Sequence, residues 1–158
     1  MSFVLDTSPL LVYVVGAFDK HNLTKISYQS RSFDISDFEY LSQFLRGNKV
    51  YVTPQILAEL SNVIENSLGP ELHQNCMHAT ALLIRDGLLE LYVPKNDLLL
   101  VECTAKFGFA DASLFCSTDL VDATIITGDF PFYGFCCAHQ KRAQFLDAIV
   151  SGKWFVGS

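Results

Sequence analysis

Two places in the chain repeat one local pattern: a short β-rich run, a polar residue, then a helix start. "FVLD" at residues 3–6 leads into "TSPLLVYVVGAF", and "KVYVT" at 49–53 leads into "PQILAELSNVIENSL". Branched and aromatic side chains suit each run to a pleated sheet. In the first, Thr7 or Ser8 can cap a helix whose first turn accepts Pro9. In the second, Pro54 starts the helix; Ile56, Leu57, Leu60, Val63 and Ile64 make one apolar stripe, and Gly69-Pro70 end it. Strands that pass straight into helices belong to α/β architectures with a mainly parallel sheet.

The remaining chain reads in the same alphabet. Residues 19–35 are polar and mixed, a loop or a short added element, and "SDFEYLSQFL" at 36–45 predicts a helix stopped by Gly47-Asn48. A helix over Glu71–Arg85, a strand over Leu88–Val93 and a helix over Asp97–Lys106 follow. Asp111 opens a further helix, "ATIIT" at 123–127 is a strand, "QKRAQFLDAIV" is a final helix and "KWFV" a terminal strand. The expected fold is a three-layer α/β sandwich, a central mainly parallel sheet flanked by helices, with all 158 residues in a single domain.

Composition narrows the function. Half the residues are hydrophobic and thirteen are Phe, which argues for a packed globule over disorder. The apolar run Pro9–Phe18 is far short of the roughly 20 residues that cross a bilayer. Asp6 stands where a signal peptide would carry basic residues, so a soluble, cytoplasmic protein without a membrane role is expected. The formal charge of −6 does not suit a broad phosphate-neutralising surface, so any nucleic-acid role rests on local patches or on metal ions.

Five cysteines with no CxxC spacing do not make a disulfide scaffold. Cys103 and Cys116 sit among apolar neighbours, and Cys136-Cys137 read as core or loop thiols or as a redox pair. His73 and His78, five apart around Cys76, align poorly for zinc, and His139 beside Cys136-Cys137 is an equally weak ligand candidate. No GxGxxG, P-loop or GxSxG occurs. Lys141 and Arg142 with Phe145, or Arg46 with Lys49, could touch an RNA backbone or simply be solvated ends. Phe130, Phe132, Tyr133 and Phe135 could stack bases, or serve as core or an oligomer contact.

The carboxylates carry the chemistry. Asp6 and Asp129 each fall just past a strand's carboxyl end, where ligand sites gather in parallel sheets. Glu59 lies on the helix after the second strand, and Asp111 at a helix start. Singly, each has a plain explanation: a turn for Asp6, a solvated helix face for Glu59, an N-cap for Asp111. Jointly, four acids at junctions of core elements and loops can share one pocket. Their mutual repulsion raises each pKa, and a divalent cation relieves it. Oxygen-only ligands suit Mg²⁺ or Mn²⁺, which can activate water for phosphodiester hydrolysis.

In this order the motifs resemble those of the PIN domain, the metal-dependent nuclease fold of many toxin–antitoxin ribonucleases and RNA-processing enzymes. "FVLDTSPLL" is similar to the family's opening strand-plus-Asp, "VTPQILAELSNVI" to its Pro-helix-acid motif, and "FADASLFCSTDLVDATIITGDF" to its third and fourth motifs combined. Residues 19–48 and 131–158 fit least closely. The resemblance implies that Asp6, Glu59, Asp111 and Asp129 bind Mg²⁺ or Mn²⁺ and position the attacking water, with Thr7 and Thr127 as supporting hydroxyls. It places Asp122 at the family's turn, as a helix-terminating residue, and leaves Asp119 at solvent or at the pocket's rim. It implies an endoribonuclease acting on RNA, the toxin of a type II pair with an antitoxin partner and a homodimeric state. The alternatives are a nuclease of housekeeping RNA processing, or an inactive PIN-fold interaction module.

Overall fold

The first strand, β1 (Ser2–Leu5), is apolar from Phe3 to Leu5, is followed by the polar Asp6, and sits in the middle of the sheet. The computed structural model describes residues 1–100 and 102–152. From β1 the chain passes through α1 (Thr7–Asp19), a 3-10 turn at Lys20–Lys25 and a small antiparallel hairpin of β2 (Ser27–Tyr28) and β3 (Arg31–Ser32). It continues through α2 (Ile35–Leu45), β4 (Lys49–Val52), α3 (Pro54–Ser67), α4 (Pro70–Gly87) and β5 (Leu89–Glu90). The second half runs α5 (Lys95–Leu100), α6 (Glu102–Phe107), α7 (Phe109–Leu120), β6 (Thr124–Thr127), α8 (Phe130–Ala138), β7 (Ala143–Phe145) and α9 (Leu146–Val150).

The large sheet has the order β5-β4-β1-β6-β7, and every pairing in it is parallel. Helices flank it in a three-layer α/β arrangement. Parallel strands covered on both faces read as continuous apolar runs, and Val4, Leu5, Ile125 and Ile126 are wholly buried. The chain works outward from β1 through β4 to β5, then returns to β1's other side with β6 and outward again to β7. The direction of winding therefore reverses between β1 and β6, and such a reversal opens a crevice at the strands' carboxyl ends.

Helix α1 is apolar around most of its circumference and is buried accordingly, from Thr7 to Val12 and from Val14 to Gly16. At Gly16 there is no room for a side chain: a Cβ there would stand 2.3 Å from the ring of Phe38 on α2. Helix α2 is locked at its start by a capping box, Asp34 accepting from the Asp37 amide and Asp37 from the Asp34 amide.

Several elements differ from the sequence expectation. The segment 19–35 holds the 3-10 turn and the hairpin. Gln29 and Ser30 at the hairpin tip take positive φ of 51° and 63° without a glycine to signal it. The helix expected over Asp97–Lys106 is present as α5 and α6, on either side of residue 101, which lies outside the described residues; the strand expected over Leu88–Val93 pairs in register only at Leu89 and Glu90. The expected final helix at 140–150 is β7 followed by the short α9, because Ala143–Phe145 pair with Ile125–Thr127 at the sheet edge. Edge pairing supplies backbone partners that local helical periodicity does not foresee. The aromatic segment 130–138 forms α8, in which Phe132 and Phe135 are core while Phe130 is exposed. The terminal strand expected at "KWFV" lies outside the described residues.

Candidate active site

Asp6 follows β1 directly and caps α1. Its Oδ1 accepts from the Thr7 amide at 2.6 Å and its Oδ2 from the Thr127 hydroxyl at 2.5 Å. Asp129 lies two residues past β6 and caps α8, its Oδ1 accepting from the Phe132 amide at 2.8 Å, while its own amide donates to Thr127 Oγ1 at 3.0 Å. Thr127 is thus the joint between the two aspartates. It is fully buried and links the ends of the neighbouring strands β1 and β6.

Glu59 comes from the second turn of α3, on the flank of the buried row Ile56, Leu60 and Ile64. Its Oε2 accepts from the Thr7 hydroxyl at 2.6 Å and its Oε1 from Tyr28 Oη at 2.9 Å. Asp111 lies in the first turn of α7, after Gly108, whose φ of 93° lets the chain turn sharply out of α6. A buried hydroxyl pair, Thr53 Oγ1 and Ser113 Oγ at 2.7 Å, ties the start of α3 to α7. Among the described residues none hydrogen-bonds the Asp111 carboxylate.

All four acids line one cleft of about 280 Å³, together with Tyr28, Gln29, Lys106, Phe107 and Ala110. Burial, followed by the charges of Asp6, Asp129 and Glu59, pushes the Asp111 carboxyl up to about 8. Burial also pushes Asp6 up to about 6. The Thr127 and Thr7 hydrogen bonds oppose that rise, and Glu59 and Asp129 add to it. The Tyr28 phenol is raised by burial and by Glu59. The cleft therefore concentrates negative charge that it does not itself neutralise.

This donor set fits a hard cation. It is all oxygen, Asp111 is unengaged and Asp129 has one oxygen unused, while each engaged oxygen of Asp6 and Glu59 retains a second lone pair. Among the described residues no group of three or more His, Cys, Asp or Glu stands as a preformed cage.

No protein-family profile and no curated protein sequence matches the chain. Among solved structures, the chain is similar to one in the crystal structure of VapBC2 from Rickettsia felis bound to a DNA fragment from their promoter. The TM-score is 0.58 at 17% identity, over 92% of this chain and 98% of that one. The toxin of that pair is a PIN-domain protein. This chain has a PIN-like fold. A domain of a functionally unknown protein from Methanocaldococcus jannaschii is similar at a TM-score of 0.46 and 13% identity, over 91% of this chain and 89% of that one.

Within the PIN-like fold the four aspartates of "ADASLFCSTDLVDATIITGDF" divide by position. Asp111 and Asp129 face the cleft. Asp119 pairs with Lys141 and Asp122 with Arg142. That second cluster precedes both β6 and β7, so it lies at the strands' amino ends, away from the cleft. Helix α7 ends at Leu120 with Val121 as its extended C-cap, and Asp122, nearly fully exposed, follows it. Lys141 and Arg142 are thereby committed to carboxylates, and Lys141 also lies 4.8 Å over the Phe115 ring. Cys103, Cys116 and Cys136 are buried free thiols, and Cys137 is exposed and free. On α4 Cys76 is buried while His78 is exposed, so the two point apart.

Sequence reasoning missed Tyr28, Gln29 and Lys106 as lining residues. The first two arrive on the hairpin within the segment read as a loop or a short added element, where nothing in the residue pattern signals a partner 31 positions away. A lone lysine at a helix end carries no signal of its own.

Proposed function

We propose that this chain is a Mg²⁺- or Mn²⁺-dependent endoribonuclease that hydrolyses RNA phosphodiester bonds. The single observation that carries the reading is the convergence of Asp6, Glu59, Asp111 and Asp129 on one cleft at the reversal point of the sheet, with Asp6 and Asp111 held above the usual carboxylate range. A site built only to fold would not gather four acids of which none, among the described residues, is ion-paired to a basic side chain.

Asp6, Glu59, Asp111 and Asp129 would hold the cation, with Asp111 and Asp129 offering oxygens that no group among the described residues engages. When bound, the cation lowers the pKa of water and offsets charge on the phosphate. The chain's own residues do the rest. Thr7 and Tyr28 fix the Glu59 carboxylate from two sides, so one edge of it faces the cleft as an acceptor for a water proton. Thr127 holds Asp6 and the Asp129 loop in register.

The likeness to VapBC2 supports the toxin of a toxin–antitoxin pair as the setting. An antitoxin would then cover the acidic cleft, and a homodimer in the cytoplasm would present it to RNA. We read the chain as one domain. The test is cleavage of labelled single-stranded RNA by wild type and Asp6→Asn at equal Mg²⁺, with an EDTA control. Wild type cuts, and Asp6→Asn is slower by about 10²-fold or more. RNA left intact by both proteins would refute the enzymatic reading and favour an interaction module. Growth arrest on expression, relieved by the same substitution, would separate a toxin from a housekeeping nuclease.

A further inference from the structure

Lys106 is the one basic side chain among the described residues that line the acidic cleft. A lysine beside four carboxylates would ordinarily pair with one of them, yet among the described residues it makes no ion pair. Its Nζ instead lies 5.4 Å over the Phe107 ring and 5.4 Å over the Phe135 ring. Those rings are anchored. They pack edge to face at 5.2 Å, Phe107 packs on Phe132 at 5.5 Å, and Phe132 and Phe135 are buried. The platform holds the ammonium at the cleft by ring faces rather than by hydrogen-bond acceptors, so its three donors stay available.

A chain of charge −6 with an acid-lined cleft repels a polyanion. Of its other cations, Lys141 and Arg142 do not compensate, since they are paired at the far end of the sheet. We propose that Lys106 is a substrate-binding residue that takes a backbone phosphate of single-stranded RNA at the cleft mouth. The inference rests on the nuclease reading. Its chemistry is a point charge on a phosphate oxygen, so it sets affinity and placement of the strand rather than the bond-breaking step.

The experiment uses the full chain, a fluorescein-labelled single-stranded oligoribonucleotide, and the substitutions Lys106→Gln and Lys106→Arg. Binding is measured by anisotropy between 50 and 200 mM KCl in the Asp6→Asn background, which spares the RNA; steady-state cleavage is measured with Asp6 intact. Losing one phosphate contact makes the slope of log K against log salt shallower by about 0.7. Lys106→Gln is therefore expected to show that change and a raised KM with kcat nearly kept, and Lys106→Arg to restore both. An unchanged slope and KM in Lys106→Gln, with only a lower melting temperature, would overturn the proposal and leave Lys106 as a cover on Phe107 and Phe135. If wild type binds RNA without cutting it and the slope still changes, the nuclease reading falls while the phosphate contact stands. No binding by either background would overturn both.

Discussion

Replacing Asp111 with Asn should make the metal-free protein more stable, although the residue stands at the centre of the proposed chemistry. In the unfolded chain this carboxyl titrates near 3.8, and in the fold burial and three neighbouring acids push it to about 8. Between those values the folded state holds the proton more tightly. The stability this contributes is complete below the unfolded value and is lost as pH rises through the folded one. At pH 7.5 the lost stabilisation has an upper bound of about 5 kcal/mol, at 1.36 kcal/mol per tenfold change in proton affinity. Solvent at the cleft mouth and repulsion shared with Asp6 leave about 2 kcal/mol for Asn to recover. For a chain of this size that raises Tm by about 4–8 °C. The assay is thermal unfolding by circular dichroism in EDTA at pH 7.5 and pH 5, where the gain should shrink to about a third. Saturating Mg²⁺ should reverse the order, since wild type gains about 2.7 kcal/mol at a hundred times Kd and the variant gains less. An Asp111→Asn protein that melts at or below wild type in EDTA at pH 7.5 would refute the claim that the cleft holds uncompensated charge.

Thr127→Val strips the hydroxyl that donates to Asp6 and accepts from the Asp129 amide; urea unfolding should show a loss of about 1–3 kcal/mol, and cleavage should fall with it. Gly16→Ala forces a Cβ against the Phe38 ring. It should cost about 1–3 kcal/mol in the same measurement, with part of the loss returned by adding Phe38→Leu.

Much of the cleft could be read before folding because its parts are local. Asp6 follows the apolar run Phe3–Leu5 and Asp129 follows Thr124–Thr127 with one residue between, so a strand's end announces each of them. Glu59 was visible as an acid on a helix whose neighbouring rows are apolar, and Pro54 after Thr53 marked that helix's start. Tyr28 was not visible: its hairpin is two residues a side, and its turn uses Gln29 and Ser30 in a backbone region that Asn or Gly would have advertised. The β7 strand was misread as helix because "AQF" has no strand pattern of its own and exists only by pairing with β6. Asp119 and Asp122 could not be assigned from spacing alone, because their partners Lys141 and Arg142 arrive some 20 residues later.

By itself the sequence determined the alternation of strand and helix, the burial of α1 and the placing of acids at element ends, since apolar periodicity, caps and prolines act within a few residues. Only the tertiary structure decided which strands are neighbours, and hence that Asp6 and Asp129 share Thr127 while Asp119 and Asp122 are drawn to the opposite end of the sheet. The physical reason is range. Side-chain chemistry is written residue by residue, but the repulsion that lifts Asp111 and the cation–π platform that holds Lys106 exist only between groups that the winding of the sheet brings together.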